Sequence, residues 1–308
     1  DERVMIAAFP GRPFDWERSF KTRILITHGS TGLGVDNVYG QMPPDRTIKQ
    51  WSENFDILVL FFRGLYKRPN HDLNALWSHS PYIIENEPEL QRLVNTAHIN
   101  GLKVATYCSL FSYYRKTRDI ESFYAQIKAL HEKFDIDGVY VDGLAFDFDT
   151  SKDDNKILNW DIIRQLRLLF GKNGVLILHD TQNGTSVSTV PSIDSYCDAT
   201  INGEGVSFHS LDDPYIKYQV RKYGISNTVG IWRADGKHPE SITYKNIIDT
   251  LLLMNGRLEA HAWVPVYEPP SNNKYRWGNG MDKKYMYYLE KLSKLINAYK
   301  NREISQSK

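Results

Sequence analysis

Two carboxylates stand out by their surroundings, Asp142 in "VYVDG" and Glu204 in "NGEG". Each follows an apolar stretch and precedes a glycine, which lets a ligand approach the backbone closely and tolerates unusual dihedrals. An ionised carboxylate at the end of a buried strand is costly unless it is paired, hydrogen-bonded or in use. Two such groups facing each other across a polar cleft can cleave a glycosidic bond. One attacks or stabilises the oxocarbenium-like centre while the other, kept protonated, delivers a proton to the leaving oxygen. Aspartate has the shorter arm, so Asp142 is expected to be the nucleophile. Glu204 reaches farther and suits the acid/base role. Asp180 is a third candidate, while Asp147 and Asp149 lie farther along the loop after Asp142. The stretch "DFDTSKDDN" lacks the mid-loop glycine and closing glutamate of a calcium loop and reads as a solvated loop. Asp135 and Asp137 precede the strand that ends on Asp142, so they are expected at the opposite, stability end of the sheet.

The elements that must position these groups follow from hydrophobic periodicity. Short apolar runs read as strands: "RILITHG", "DILVLFFRG", "LKVATYCSL", "DGVYVDGL", "GVLILHD", "CDATINGEG", "NTVGIWRAD" and "RLEAHAWV". Amphipathic stretches fall between nearly all of them, among them "DRTIKQWSENF", "EPELQRLVNTAHING", "DIESFYAQIKALHEKF" and "ILNWDIIRQLRLLFG". Phe123, Ile127, Leu130 and Phe134 recur at helical spacing and predict one apolar helix face. Later helices are expected at "DDPYIKYQVRKYG", "ITYKNIIDTLLLMNG" and "MDKKYMYYLEKLSKLINAYKN".

Continuous apolar strands alternating with amphipathic helices predict an α/β protein with a parallel sheet covered on its outer face. Eight such units in one chain of 308 residues favour a (β/α)8 TIM barrel, a single catalytic domain over residues 23–300, above an open doubly wound sheet. Residues 1–22 read as an N-terminal cap or the tail of a preceding domain, and residues 301–308 as a polar C-terminal tail. The glycines of "THGSTGLG" have neither the dinucleotide-binding nor the P-loop spacing.

Barrel enzymes place their chemistry at the C-terminal ends of the strands. Besides the two acids, the expected strand ends bring forward His28, Arg63, Tyr107, His179, Asp180, Asn202, Trp232, Arg233, His261 and Trp263. As a set they predict a polar, aromatic-rimmed substrate cleft. Arg63 and Arg233 could hold sulfate or carboxylate on an anionic glycan, or brace the catalytic carboxylates.

Composition agrees with such a cleft. Aromatic residues make up 13% of the chain, with 19 Tyr and 7 Trp, rings that stack on the apolar faces of sugars. Lys and Arg total 38 against 37 Asp and Glu, so charge offers no argument for a nucleic-acid partner. No apolar run approaches the roughly 18 residues of a membrane span, so no membrane insertion is expected. Cys108 and Cys197 are too few for a disulfide framework or a cysteine-based zinc site and are expected to be buried free thiols. Neither a cofactor nor a metal is expected. The chain starts at Asp1 without a signal-peptide core, as expected of a processed protein or excised domain. Action on a carbohydrate polymer predicts an extracellular or periplasmic setting.

"DGVYVDG" resembles the nucleophile strand of retaining α-glycoside hydrolases built on barrels, such as the α-galactosidase and endo-α-N-acetylgalactosaminidase groups. "VPSIDSYCDATINGEG" is similar to a phrase in glycoside hydrolase-like barrel domains from bacterial polysaccharide-degradation systems. The resemblance spans Asp56 to Val264. It implies a glycosidase barrel with Asp142 as nucleophile and Glu204 as acid/base. Two positions depart from the α-galactosidase pattern: glutamate replaces aspartate after the sixth strand, and Tyr140 stands where a lysine precedes the nucleophile by two residues. Two other readings stay open. A non-catalytic glycan-binding barrel would keep the aromatic cleft. A metal-dependent barrel hydrolase would need His-x-His on the first strand, where "THG" offers one histidine.

Overall fold

In the computed structural model the apolar runs become parallel strands. The structure describes residues 24–29, 42–53, 55–61, 65–67, 82–144, 153–179, 193, 195–202, 229–231, 260–264 and 294, with the backbone alone at 27–29, 115, 153–157, 200–202, 229–231 and 260–264. The strands are β1 (Ile24–Gly29), β2 (Ile57–Phe61), β3 (Lys103–Cys108), β4 (Gly138–Asp142), β5 (Val175–His179), β6 (Ala199–Asn202), β7 (Val229–Ile231) and β8 (Ala260–Val264). The helices between them are α1 (Asp45–Ser52), α2 (Glu87–Ile99), α3 (Leu110–Thr117), α4 (Ile120–Phe134) and α5 (Asp153–Phe170). The three later helices expected from the sequence lie outside the described residues, apart from helical Lys294. No helix among the described residues is long and apolar enough to cross a membrane.

The strands form one sheet in the order β7-β6-β5-β4-β3-β2-β1-β8, with every pairing parallel. Strands consecutive in the chain are thus neighbours, and β8 returns to the free side of β1. No pairing of β7 with β8 occurs among the described residues.

Alternate residues of β1 to β5 enter two different cores. One contains strand residues alone: Ile24, Ile26, Ile57, Val59, Phe61, Ala105, Tyr107, Tyr140, Val175, Ile177 and Ala199. The intervening residues, among them Leu58, Val104, Val139, Val141 and Leu178, pack against helices through Leu93, Phe123, Ile127 and Ile163. This two-sided burial explains why the strands read as continuous apolar runs. The helix face predicted at Phe123, Ile127, Leu130 and Phe134 is buried.

Helix boundaries follow side-chain capping. Asn86 accepts from the Glu89 N–H at the start of α2, where Pro88 sits, and Asp119 accepts from the Ser122 N–H at the start of α4. Helix α3 was not expected from the sequence. It is only 8 residues long, capped by Ser109 and stopped at Arg118 with φ 58°, too short for its periodicity to show.

The N-terminal end of the sheet is knitted by aspartates placed just before the strands. The Asp137 carboxylate accepts from the Val104 N–H at 2.7 Å and bonds His98 Nε2 at 2.8 Å. Asp198 repeats the pattern two strands on, accepting from the Leu176 N–H at 2.8 Å and from Arg167 Nη2 at 2.5 Å. In each case a cation-capable side chain on the helix before one strand meets the aspartate before the next. Cys108 and Cys197 are buried thiols, as expected.

Candidate active site

Strand β4 delivers Asp142 by simple alternation. Val139 and Val141 face the helices, while Tyr140 belongs to the strand-only core. Asp142, two residues beyond Tyr140, therefore emerges on that same face at the C-terminal end. Gly138 permits the alignment, because a Cβ there would lie 1.8 Å from the Val175 carbonyl oxygen. Gly143 serves a different need. It adopts φ 70°, and its N–H donates to the His179 carbonyl at 2.8 Å, so the chain turns immediately beyond the carboxylate.

Both oxygens of Asp142 are held by neighbouring strands. Register pairs Asp142 with His179 on β5, and His179 Nδ1 lies 3.0 Å from Oδ1. Tyr107 on β3 pairs with Tyr140, one level lower, and the length of its phenol makes up the difference so that its hydroxyl donates to Oδ2. The Asp142 side chain remains 26% exposed, whereas that of His179 is only 2% exposed.

Aromatic packing fixes the donors. The Tyr107 ring stacks on Phe61 with centroids 3.9 Å apart and planes 13° from parallel, and on Tyr140 at 5.6 Å and 24°. The Tyr140 ring also meets the His179 imidazole edgewise at 6.2 Å. Such pairs contribute about 0.5–1.5 kcal/mol each beyond area burial. The backbone beneath is tied down as well. Tyr66 donates to the Tyr107 carbonyl at 2.8 Å, and Tyr82 both donates to the Ser109 carbonyl at 3.1 Å and accepts its N–H at 2.9 Å. Ser109 Oγ in turn donates to the Asp142 carbonyl at 3.2 Å.

Burial first, and then the negative charge of Asp142, push the Tyr107 phenol well above its ordinary range. Tyr107 is therefore protonated and able to donate throughout the neutral range. The same two causes raise the Cys108 thiol. Burial also raises Tyr66 and Tyr82.

The structure thus brings together three residues singled out from the sequence: Tyr107, Asp142 and His179. For four others it describes only the backbone: Asn202 ends β6, His28 pairs with both Phe61 and Trp263, and His261 pairs with Ile26. Arg63, Asp180, Glu204, Trp232 and Arg233 lie outside the described residues, as do Asp147 and Asp149. Asp135 and Asp137 stand at the N-terminal end of β4, where the sequence places them. Sequence reasoning overlooked Phe61, which stacks on Tyr107, and treated Tyr140 only as a departure from a pattern. Stepping back two residues from Asp142 and from Arg63 would have found both.

Chemically, a partly exposed carboxylate fixed at both oxygens can act as a nucleophile, as an electrostatic stabiliser, or as an acceptor for sugar hydroxyls. No protein-family model and no curated protein sequence matches the chain. Among solved structures its parallel α/β fold is similar to that of glycoside hydrolase barrels. A GH36 α-galactosidase variant from Geobacillus stearothermophilus, in complex with 1-deoxygalactonojirimycin, superposes with TM-score 0.52 at 10% identity, over 92% of this chain and 43% of that one. A second variant of that enzyme, in complex with stachyose, gives TM-score 0.52 at 10% identity over 89% and 41%. An α-amylase from Geobacillus thermoleovorans complexed with acarbose gives 0.44 at 13% over 77% and 65%. The chain spans roughly half the length of such structures, 55% in the case of a chitinase from Bacteroides thetaiotaomicron. At these identities the likeness concerns the fold.

Proposed function

We propose that this chain is a closed (β/α)8 barrel that hydrolyses glycosidic bonds in an oligo- or polysaccharide, with Asp142 as nucleophile and Glu204 as acid/base. The observation that carries the reading is the Asp142 carboxylate itself: partly exposed at the C-terminal end of β4, above a strand-only apolar core, and held at both oxygens by Tyr107 and His179. Closure is supported by the cyclic strand order, in which β8 lies beside β1 and a single β7–β8 pairing would complete the ring.

In this mechanism an Asp142 oxygen forms a bond to the anomeric carbon as the glycosidic C–O bond breaks. The Glu204 proton passes to the leaving oxygen. Water, deprotonated by Glu204, then attacks the same carbon and releases Asp142, with net retention. The free hydroxyls of the sugar find acceptors and donors at the remaining strand ends, and Arg63 and Arg233 would recognise any anionic substituent. A polymeric glycan substrate goes with an extracellular or periplasmic place of action.

The test is turnover of a panel of nitrophenyl glycosides and oligosaccharides, with the anomer of the product followed by NMR. Retention is expected, and both Asp142→Asn and Glu204→Gln are expected to lower turnover by orders of magnitude while leaving binding. Inversion would contradict the nucleophile role. Glycan binding by a wild-type chain that turns nothing over would identify a binding barrel instead.

A further inference from the structure

We infer that Tyr107 and His179 are positioning residues for the Asp142 carboxylate, one locking each oxygen, and not groups that contact the sugar. This rests on the reading of Asp142 as nucleophile. Three observations carry it. Each oxygen receives one side-chain donor, and the two donors come from opposite sides, β3 and β5, so turning the carboxylate about its Cβ–Cγ bond breaks both contacts at once. Both donors are almost wholly buried, Tyr107 at 2% and His179 at 2%, so little of either is left to face a substrate. Neither has freedom to follow one: the Tyr107 ring is sandwiched between Phe61 and Tyr140 with its backbone carbonyl bonded to Tyr66, and the His179 carbonyl is bonded to the Gly143 N–H.

The arrangement assigns His179 a tautomer. With Asp142 ionised, as its role as nucleophile requires, the imidazole nitrogen 3.0 Å from its oxygen carries the proton, so His179 donates through Nδ1. It also leaves each carboxylate oxygen with a second lone pair, which is what attack on an anomeric carbon requires. Misplacing a reacting atom by about 1 Å costs on the order of a hundredfold in rate. A group freed at one oxygen should therefore lose catalytic turnover without losing substrate affinity.

The experiment compares Tyr107→Phe, His179→Leu and His179→Asn with the wild type and Asp142→Asn, on the nitrophenyl glycoside that the wild type cleaves fastest. Asparagine can present an amide N–H where Nδ1 stands, and leucine cannot. We expect Tyr107→Phe and His179→Leu to lower kcat by about tenfold to a hundredfold with KM within about twofold, and His179→Asn to recover most of the loss. Melting temperature is read for each variant, so a fall in the amount of folded protein is not mistaken for a fall in kcat. If kcat is unchanged in both deletions, or KM rises while kcat holds, the positioning role is overturned although Asp142 remains the nucleophile. If His179→Asn is as impaired as His179→Leu, the donor role of His179 is overturned. If Asp142→Asn turns over like the wild type, or the wild type cleaves nothing, the glycosidase reading falls and this inference with it.

Discussion

Strand β4 carries an aspartate at each end, and the two differ in a way exposure does not reveal. Asp137 and Asp142 have the same side-chain exposure, 26%. At the N-terminal end Asp137 takes a main-chain N–H from β3 and a half-buried histidine from α2. Asp198 does the equivalent for β5 and α5. At the C-terminal end the donors that Asp142 receives among the described residues are both side chains, a phenol and an imidazole, both buried. A carboxylate bonded to a main-chain amide fixes the spacing of two strands and is part of the sheet. A carboxylate bonded to side chains can be changed without disturbing any strand pairing. The first kind belongs to the sheet, and the second is free to serve the role proposed for it, at equal solvent access.

The largest expected effect breaks the comparison at Asp142. Asp142→Asn should lower turnover by about 10⁴-fold, some 5 kcal/mol of barrier, while melting temperature stays near the wild-type value. Calorimetry beside kinetics checks both halves, and a drop in stability as large as the loss of activity would make the two ends alike. At the other end, Arg167→Met leaves the Asp198 carboxylate, only 12% exposed, without its cation. The expected cost is about 3–5 kcal/mol in urea unfolding, with kcat per folded molecule unchanged.

Next in size is Gly138→Ala. The new Cβ would collide with the Val175 carbonyl, so β4 must shift against β5. We expect about 2–3 kcal/mol of destabilisation together with reduced turnover, because the same shift moves Asp142 relative to His179. This variant sharpens the comparison by joining its two ends through one strand.

The smallest and most gradual effect is with pH. Burial raises Tyr66, Tyr82, Tyr107 and Cys108 above their ordinary values, so the folded chain keeps them protonated where the unfolded chain ionises. Their contribution to stability is intact below about pH 8.5 for the thiol and about pH 10 for the phenols, and it declines as pH rises from there toward the folded-state values. Melting temperature should fall progressively over that range, with tyrosinate absorbance from these groups appearing only on unfolding. Tyrosinate absorbance from the native state near pH 10 beyond that of exposed tyrosines would contradict it.

Much of the architecture was legible along the chain because it is written in local periodicity. Residues of β2, β3, β4 and β5 are apolar on both faces, and α4 shows its stripe of Phe123, Ile127, Leu130 and Phe134. The end of β4, and with it Asp142, could be read from the valines and the glycine around it. Helix α3 could not, since two turns of mixed residues carry no period long enough to recognise. The glycine after Asp142 is expected to let a ligand approach and to take unusual dihedrals, and the structure shows the second, a left-handed turn.

What the sequence by itself determined is therefore the alternation of strands and helices and the placing of one carboxylate at a strand end, since both depend on residues close together in the chain. Only the tertiary structure decided what that carboxylate meets. Tyr107 lies 35 residues before it and a level below it in register, and reaches it because a phenol is long enough and Phe61 and Tyr140 hold the ring upright. His179 meets it because β4 and β5 pair in one register and not another, with Gly138 packed closely against Val175, a match between distant strands that no local pattern contains.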